Sequence, residues 1–427
     1  MTSSILKSRL VATVMSCVAL ILSFSMGLAQ AQELCSVTPY TYGVAKVDHP
    51  ELKFAIDTLE KYAIAAWYTD RLSSADRATL ISNMLSQCSE DTRLSIVVYG
   101  LPNKDCAGGF SSSGSVTSTS EYQAFLKDLT DAVGTRKVLY VVEPDAVGLL
   151  AQDGSCGAAA GYLGNLKVAV EALSANPNAE LYLDVGYWML AYQSNVAKVV
   201  PVIRDISNSG RVKGITINTS NYRSNDEVAG YCTTFQNAMG STDMKCIVDT
   251  SRNFNGSPTT DWCNVATAGI GNPPTSDTGY SNLDYFMWIK VPGESDGYCS
   301  TGPVIGPAAG AFFLEGFRWL WDQGYFVKEL GIPTIEEGIA NPVTEAPVTD
   351  GPGTIIVATE TPVTTEPATV IVDTEAPTTI TPSSTSPATE PPIIVLPGTV
   401  TPTTGSAAGN PTPVHTPCKW RKRLRAL

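Results

Sequence analysis

From about residue 63 to residue 290, apolar runs of strand length alternate with stretches of helical period. The runs are "YAIAAWYT", "RLSIVVYG", "KVLYVVEPD", "AELYLDVGY", "RVKGITIN", "MKCIVDT" and "LDYFMWIKV". Between them, segments such as Ala75 to Leu85, Ser120 to Ala132 and Tyr162 to Leu173 place apolar residues at helical spacing. Runs that are apolar at nearly every position describe strands covered on both faces. Strand–helix alternation of that kind predicts an α/β fold with a parallel sheet. Seven or eight such strands predict closure into a distorted (β/α) barrel, TIM-barrel-like, rather than an open sheet.

The same runs end in acids. "SIVVYG" leads to Asp105, "VLYVVEP" to Asp145, "LYLD" ends in Asp184, "CIVD" in Asp249, and "FMWIKVPGESD" leads to Glu294 and Asp296. One Asp after a strand is ordinary turn or cap chemistry. Five strands doing so predict a site, because in a β/α barrel the carboxyl ends of all strands open onto one face. Aromatic residues accompany the acids: Trp67, Tyr99, Trp188 and Trp262. Taken singly each is ordinary packing, but flat rings among carboxylates suit sugars, whose apolar faces stack while their hydroxyls bond to charged edges.

Composition narrows the chemistry. The net charge of −13 argues against nucleic acid and anionic membranes as partners. The two histidines are His49 and His415. A Ser-His-Asp triad and a histidine-rich metal site are therefore disfavoured, and acid–base work falls to carboxylates. No metal and no cofactor is expected. The ten cysteines are scattered without a C-x-x-C pair, which reads as disulfides of an oxidising compartment. Lys7 and Arg9, the apolar run Val11 to Leu28 and "AQA" before Gln32 read as a signal peptide over residues 1–31. That reading implies a secreted, extracellular protein with no membrane span.

Residues 32–333 are expected to form the barrel. Residues 334–417 lack aromatics and are rich in Thr and Pro, which predicts a disordered, O-glycosylated stalk. Residues 418–427 form a basic tip, read either as a solvated tail or as an attachment to the cell wall. A monomer is expected.

Six blocks in order resemble glycoside hydrolase family 6, the secreted cellulases: "VVYGLPNKDC", "YVVEPDAVG", "LYLDVG", "NTSNY", "DWCN" and "WIKVPGESDG". The resemblance spans most of Cys35 to Phe326. It implies a distorted barrel that hydrolyses β-1,4-glucan with inversion. Asp145 would be the general acid, and Asp105 the partner that supports its raised pKa and organises the water. Asp296 takes the place usually proposed for the base. Tyr99 would lie under the sugar being cleaved, Trp67 and Trp262 would stack on glucose, and Lys290 and Glu294 would bond hydroxyls. Asp184 and Asn221 would support the cleft.

The resemblance also implies disulfides Cys106–Cys156 and Cys263–Cys299. Cys232 and Cys246 are close enough in sequence to pair, which would leave Cys35 with Cys88, but these two pairings stay open, as does the role of Cys418. Three positions depart from the family pattern: Lys104 where Arg is usual, Gly100 where an acid or amide is common, and Tyr187 where His is usual. The short stretch "GYCSTGPVIGPAAG" after Asp296 resembles open-cleft endoglucanases. A cellobiohydrolase and an inactive glycan-binding wall glycoprotein are the alternatives. Asn255 in "NGS" reads as a glycosylation site, and Asn218 in "NTS", at a strand end, as a poorer one.

Overall fold

A computed structural model describes residues 33–340. The expected signal peptide, the basic tip with Cys418, and the Thr/Pro segment beyond Ala340 lie outside these residues. Eight parallel strands form one sheet: β1 (Leu34–Cys35), β2 (Ala66–Thr69), β3 (Arg93–Tyr99), β4 (Val138–Val142), β5 (Ala179–Asp184), β6 (Gly214–Ile217), β7 (Lys245–Asp249) and β8 (Leu283–Met287). From β3 to β8 each strand pairs with the next. β1 and β2 both pair with β3, one after the other along its edge. The sheet curls until its ends meet at one bridge, Ile64 with Trp288, where the Ala65 N–H donates to the Trp288 carbonyl at 2.9 Å. This is the expected distorted barrel.

Period-two alternation explains the burial of both faces. Val97, Val141 and Tyr182 share a register row and point into the barrel with Leu139, Ile247, Met287 and Ile289. Their neighbours Ile96, Val98, Tyr140, Val142, Leu181 and Leu183 point outward, under the helices. Every residue of β3 and β4 is buried, so no strand face needs polar residues. The helices expected at 75–85, 120–132 and 162–173 are Ser74–Gln87, Thr119–Val133 and Tyr162–Leu173. Ser73, Ser118 and Ser224 cap helix N-termini by accepting from backbone N–H groups, the last in a full capping box with Glu227.

The folded region runs past the boundary expected at residue 333. The helix Ile335–Ala340 packs on the barrel with Ile335 buried, its N–H donating to Asp322 at 2.8 Å. The Trp321 indole donates to the Pro333 carbonyl at 3.0 Å. Composition misled because "GIPTIEEGIA" shares the Pro and Thr of the residues beyond Ala340, while one isoleucine anchors it.

All eight cysteines from Cys35 to Cys299 are paired, as Cys35–Cys88, Cys106–Cys156, Cys232–Cys246 and Cys263–Cys299. The second pair staples the loop after β3 to the loop after β4. The fourth staples the loop after β7 to the loop after β8. Both therefore brace the carboxyl-end face of the sheet.

Candidate active site

That face gathers the expected acids, and its backbone is unusual. Asp105, Glu143, Asp145, Asn218 and Ser220 all have positive φ. Such a conformation is uncommon for residues with side chains, and Asp and Asn tolerate it best. Sharp left-handed turns at strand ends set where each of these side chains goes.

Glu143 and Asp145, separated only by Pro144, divide their tasks. Glu143 is fully buried and accepts hydrogen bonds from the Gly100 and Leu101 N–H groups and from the Tyr122 hydroxyl, at 2.6–3.2 Å. It locks the end of β4 to the end of β3. This also accounts for Gly100, where a Cβ would come within 2.5 Å of the Phe125 ring. Asp145 is half-buried. Its N–H donates to Asp184 at 2.7 Å, and its carboxyl is free of such structural bonds among the described residues. Burial, then the charges of Asp184 and Asp105, push its pKa well above the usual range. That is the condition of a carboxyl kept protonated for use as an acid.

Asp184 is buried, accepts from the Thr219 hydroxyl, and has its pKa pushed up to about 7, chiefly by burial. Asp249 is a tie-point. It accepts from the N–H groups of Ser220, Ser251, Ile289 and Lys290 at 2.9–3.2 Å, joining the ends of β6, β7 and β8. Asp105 accepts from the N–H groups of Gly108 at 3.1 Å and Ser111 at 2.6 Å, which fold its loop around its own carboxylate.

Asp296 is the opposite case to Asp145. Burial alone would raise its pKa, but Arg252, with Nη1 at 2.7 Å, and Lys290 at 3.5 Å outweigh that and hold it below the ordinary value. The Tyr222 hydroxyl and the Asn264 N–H also donate to its Oδ2. Arg252 lies over the Tyr222 ring at 4.5 Å and donates to the Ser220 carbonyl. The sequence reading missed Arg252, Tyr222 and Asn264. The available signal was an arginine three residues past the end of a buried strand, in "VDTSR".

The remaining expected residues fall around these acids. Trp67 and Tyr99 meet edge to face with centroids 5.4 Å apart, and the Trp67 indole donates to the Ile289 carbonyl at 2.8 Å. Lys290 is buried and donates to the Ser295 carbonyl at 2.9 Å. Glu294 accepts from the Thr41 hydroxyl at 2.8 Å. Trp262 is 47% exposed, so a ring surface is open to solvent. Asn221 turns its amide inward to the Thr219 carbonyl.

The departures also have a structural account. Lys104 forms a buried ion pair with Asp70 at 2.6 Å and donates to the Ser113 carbonyl at 2.8 Å, anchoring the Asp105 loop at one point where an arginine could fork. Tyr187 lies under the Arg223 guanidinium at 4.8 Å. Asn218 spends its amide on the Arg223 and Asp249 carbonyls and is buried, which removes it as a glycan acceptor in the folded state. Asn255 is exposed. Among the described residues no cluster of His, Cys, Asp or Glu could hold a metal, and no helix is long and apolar enough to cross a membrane.

These acids set a pH dependence of stability. Glu143, Asp145, Asp184 and Asp249 all have raised pKa values, Glu143 and Asp184 to about 7, with burial the first cause in each. Raised acids hold their protons more tightly folded than unfolded. Their contribution is full below the unfolded values near 4 and falls as pH climbs, that of Glu143 and Asp184 being lost through about 7. Depressed Asp296 contributes above its unfolded value and loses that contribution below it. Thermal melts followed by circular dichroism should therefore give the highest Tm at about pH 4 to 5, falling toward pH 8. A Tm that rises from pH 5 to 8 would contradict the protonation of these buried acids.

Comparison with known proteins agrees with this geometry. The model of the glycosyl hydrolases family 6 matches residues 36–323. Endoglucanase A of Thermobispora bispora is 28% identical over 264 residues, which are 62% of this chain and 57% of that protein. A 1,4-beta-D-glucan cellobiohydrolase C of Emericella nidulans is 28% identical over 351 residues, covering 68% of this chain and 75% of that protein. The chain thus spans less than two thirds of the length of the bacterial endoglucanase. Among solved structures, the family 6 enzyme of Orpinomyces sp. Y102 is similar with a TM-score of 0.58 at 25% identity, over 68% of this chain and 96% of that one.

Proposed function

The chain belongs to the glycosyl hydrolases of family 6, and from that premise we propose that it is a secreted enzyme that hydrolyses the β-1,4-glucosidic bonds of cellulose or a related β-glucan by inversion, cutting within chains. The observation that carries this reading is the opposed state of two carboxyls on one face. Asp145 lies beside Asp184 and Asp105, and with its burial this favours the protonated form, whereas Asp296 pairs with Arg252 at 2.7 Å and Lys290 at 3.5 Å, which favours the ionised form. An inverting glycosidase needs one protonated carboxyl to give a proton to the leaving oxygen. It also needs an ionised one to draw a proton from the attacking water on the other side.

In this reading Asp145 protonates the glycosidic oxygen. Water attacks the anomeric carbon from the far face, ordered by Asp105, and its proton passes toward Asp296. Tyr99 lies beneath the reacting sugar, while Trp67 and Trp262 stack on its neighbours. Lys290 and Glu294 bond hydroxyls, and Asp184 and Asn221 support the cleft. No metal or cofactor takes part, and the enzyme acts as a monomer.

Support for internal cutting is the short connection from Asp296 to the helix Leu314–Asp322, which leaves little chain to roof the cleft. A cellobiohydrolase is the second reading, favoured by the similarity to the Emericella nidulans protein. With a soluble substituted cellulose, internal cutting should make viscosity fall steeply while few reducing ends appear. Viscosity that falls only in proportion to released cellobiose would favour the second reading.

A further inference from the structure

Phe110 belongs to the loop that carries Asp105, yet its contacts lie on the other loops. Its ring centroid is 5.7 Å from that of Trp262, the planes tilted by 60°. It also rests on Gly297, where a Cβ would come within 2.5 Å of the ring, and whose φ of 137° suits only glycine. Trp262 precedes Cys263, which is bonded to Cys299, and Gly297 comes directly after Asp296. One aromatic side chain from the Asp105 loop is thus lodged against the braced unit that carries Asp296. Its chain neighbour Ser111 donates its N–H to Asp105 Oδ2 at 2.6 Å. A shift of Phe110 is therefore passed one residue along to the Asp105 carboxylate.

We propose that Phe110 is a positioning residue that clasps the Asp105 loop to the Trp262 wall, so that a glucosyl unit stacking on Trp262 and the placement of Asp105 are coupled. The inference rests on Trp262 being a sugar platform, as proposed above. The clasp suits a coupling role because both rings remain partly exposed, Phe110 by 39% and Trp262 by 47%. An arriving sugar ring can press on the pair without first breaking a buried core. Other restraints on the loop, among them the Cys106–Cys156 bridge, the Lys104–Asp70 pair and the bonds of Ser115 and Val116 to Asp70, tie it toward the elements after β4 and β2, whereas Phe110 ties it to the Trp262 and Gly297 loops.

The test compares Phe110→Ala, Phe110→Tyr, Gly297→Ala and the double variant Phe110→Ala/Gly297→Ala. Amide hydrogen exchange of residues 105–116 in the free protein reads the clasp without needing catalysis. Phe110→Ala should speed that exchange by roughly tenfold, the size expected for losing one aromatic pair, and Phe110→Tyr should restore it. Cellotetraose should protect the segment in the wild type and no longer in Phe110→Ala. In kinetics, kcat should fall more than KM rises. Gly297→Ala should do less harm in the Phe110→Ala background than alone, because the ring it displaces is gone. Unchanged exchange in Phe110→Ala, or strict additivity of the two variants, would overturn the clasp. Failure of the sugar platform shows separately, as cellotetraose affinity that Trp262→Ala does not change.

Discussion

Asp145→Asn should reduce hydrolysis of unsubstituted glucan by about 10²- to 10⁴-fold, the range for removing a positioned general acid, while cello-oligosaccharide binding stays near wild type. Asparagine is the cleaner replacement. Asp145 sits at φ 68°, where Asn is at ease and Ala is strained, and its N–H bond to Asp184 is retained. A substrate with a good aryl leaving group needs less protonation and should be spared most of the loss. Equal loss on both substrates, by steady-state kinetics, would remove Asp145 from the acid role. The pH profile supplies a second reading. With Asp145 as the acid, the wild-type rate should fall as pH rises through its elevated pKa, and that limb should vanish in the variant.

Replacing Arg252 by Met should strike both stability and catalysis. Arg252 is buried and makes the shortest ion pair of Asp296. Removing it strands a carboxylate that is only 7% exposed, with Lys290 at 3.5 Å as its remaining cation. Breaking a buried pair in this way costs about 3–5 kcal/mol, and urea unfolding should show it as a lower midpoint with an unchanged slope. The pKa of Asp296 should also rise, because burial then outweighs what is left to lower it. Loss of activity in acid should accordingly begin at a higher pH than in the wild type. Stability within about 1 kcal/mol of wild type, a surface-pair value, together with an unmoved acid limb, would contradict the role given to Arg252.

Much of this site was legible because its logic is local to strands. Val138 to Val142 read as a strand buried on both faces, and the turn forced by Pro144 had to release Glu143 and Asp145 on the sheet's carboxyl end. The family resemblance pointed to Asp145 as the acid, and what remained hidden was the task of Glu143. Glu143 is consumed by Gly100, Leu101 and Tyr122, which lie about 20 to 43 residues away, and no pattern within β4 encodes that. Arg252, Asn264 and Tyr222 were missed for the same reason. Their meaning comes from converging on Asp296 from different loops, and each alone looks like an ordinary loop residue. Lys104 stood out only as a departure from the family pattern, because its partner Asp70 sits past another strand. The helix Ile335–Ala340 was hidden because its buried residues, Ile335 and Gly338, sit in a run of stalk-like composition.

The most direct test of the proposed chemistry is the anomeric configuration of the first product. Wild-type protein should be incubated with a soluble cello-oligosaccharide and monitored by proton NMR within the first minutes, before mutarotation mixes the anomers. Attack by water opposite a β-linked leaving group, with Asp145 above the bond and the base below it, should give the α-anomer first. Early accumulation of the β-anomer would contradict the two-carboxylate water mechanism, and the absence of any released sugar would leave only a glycan-binding protein.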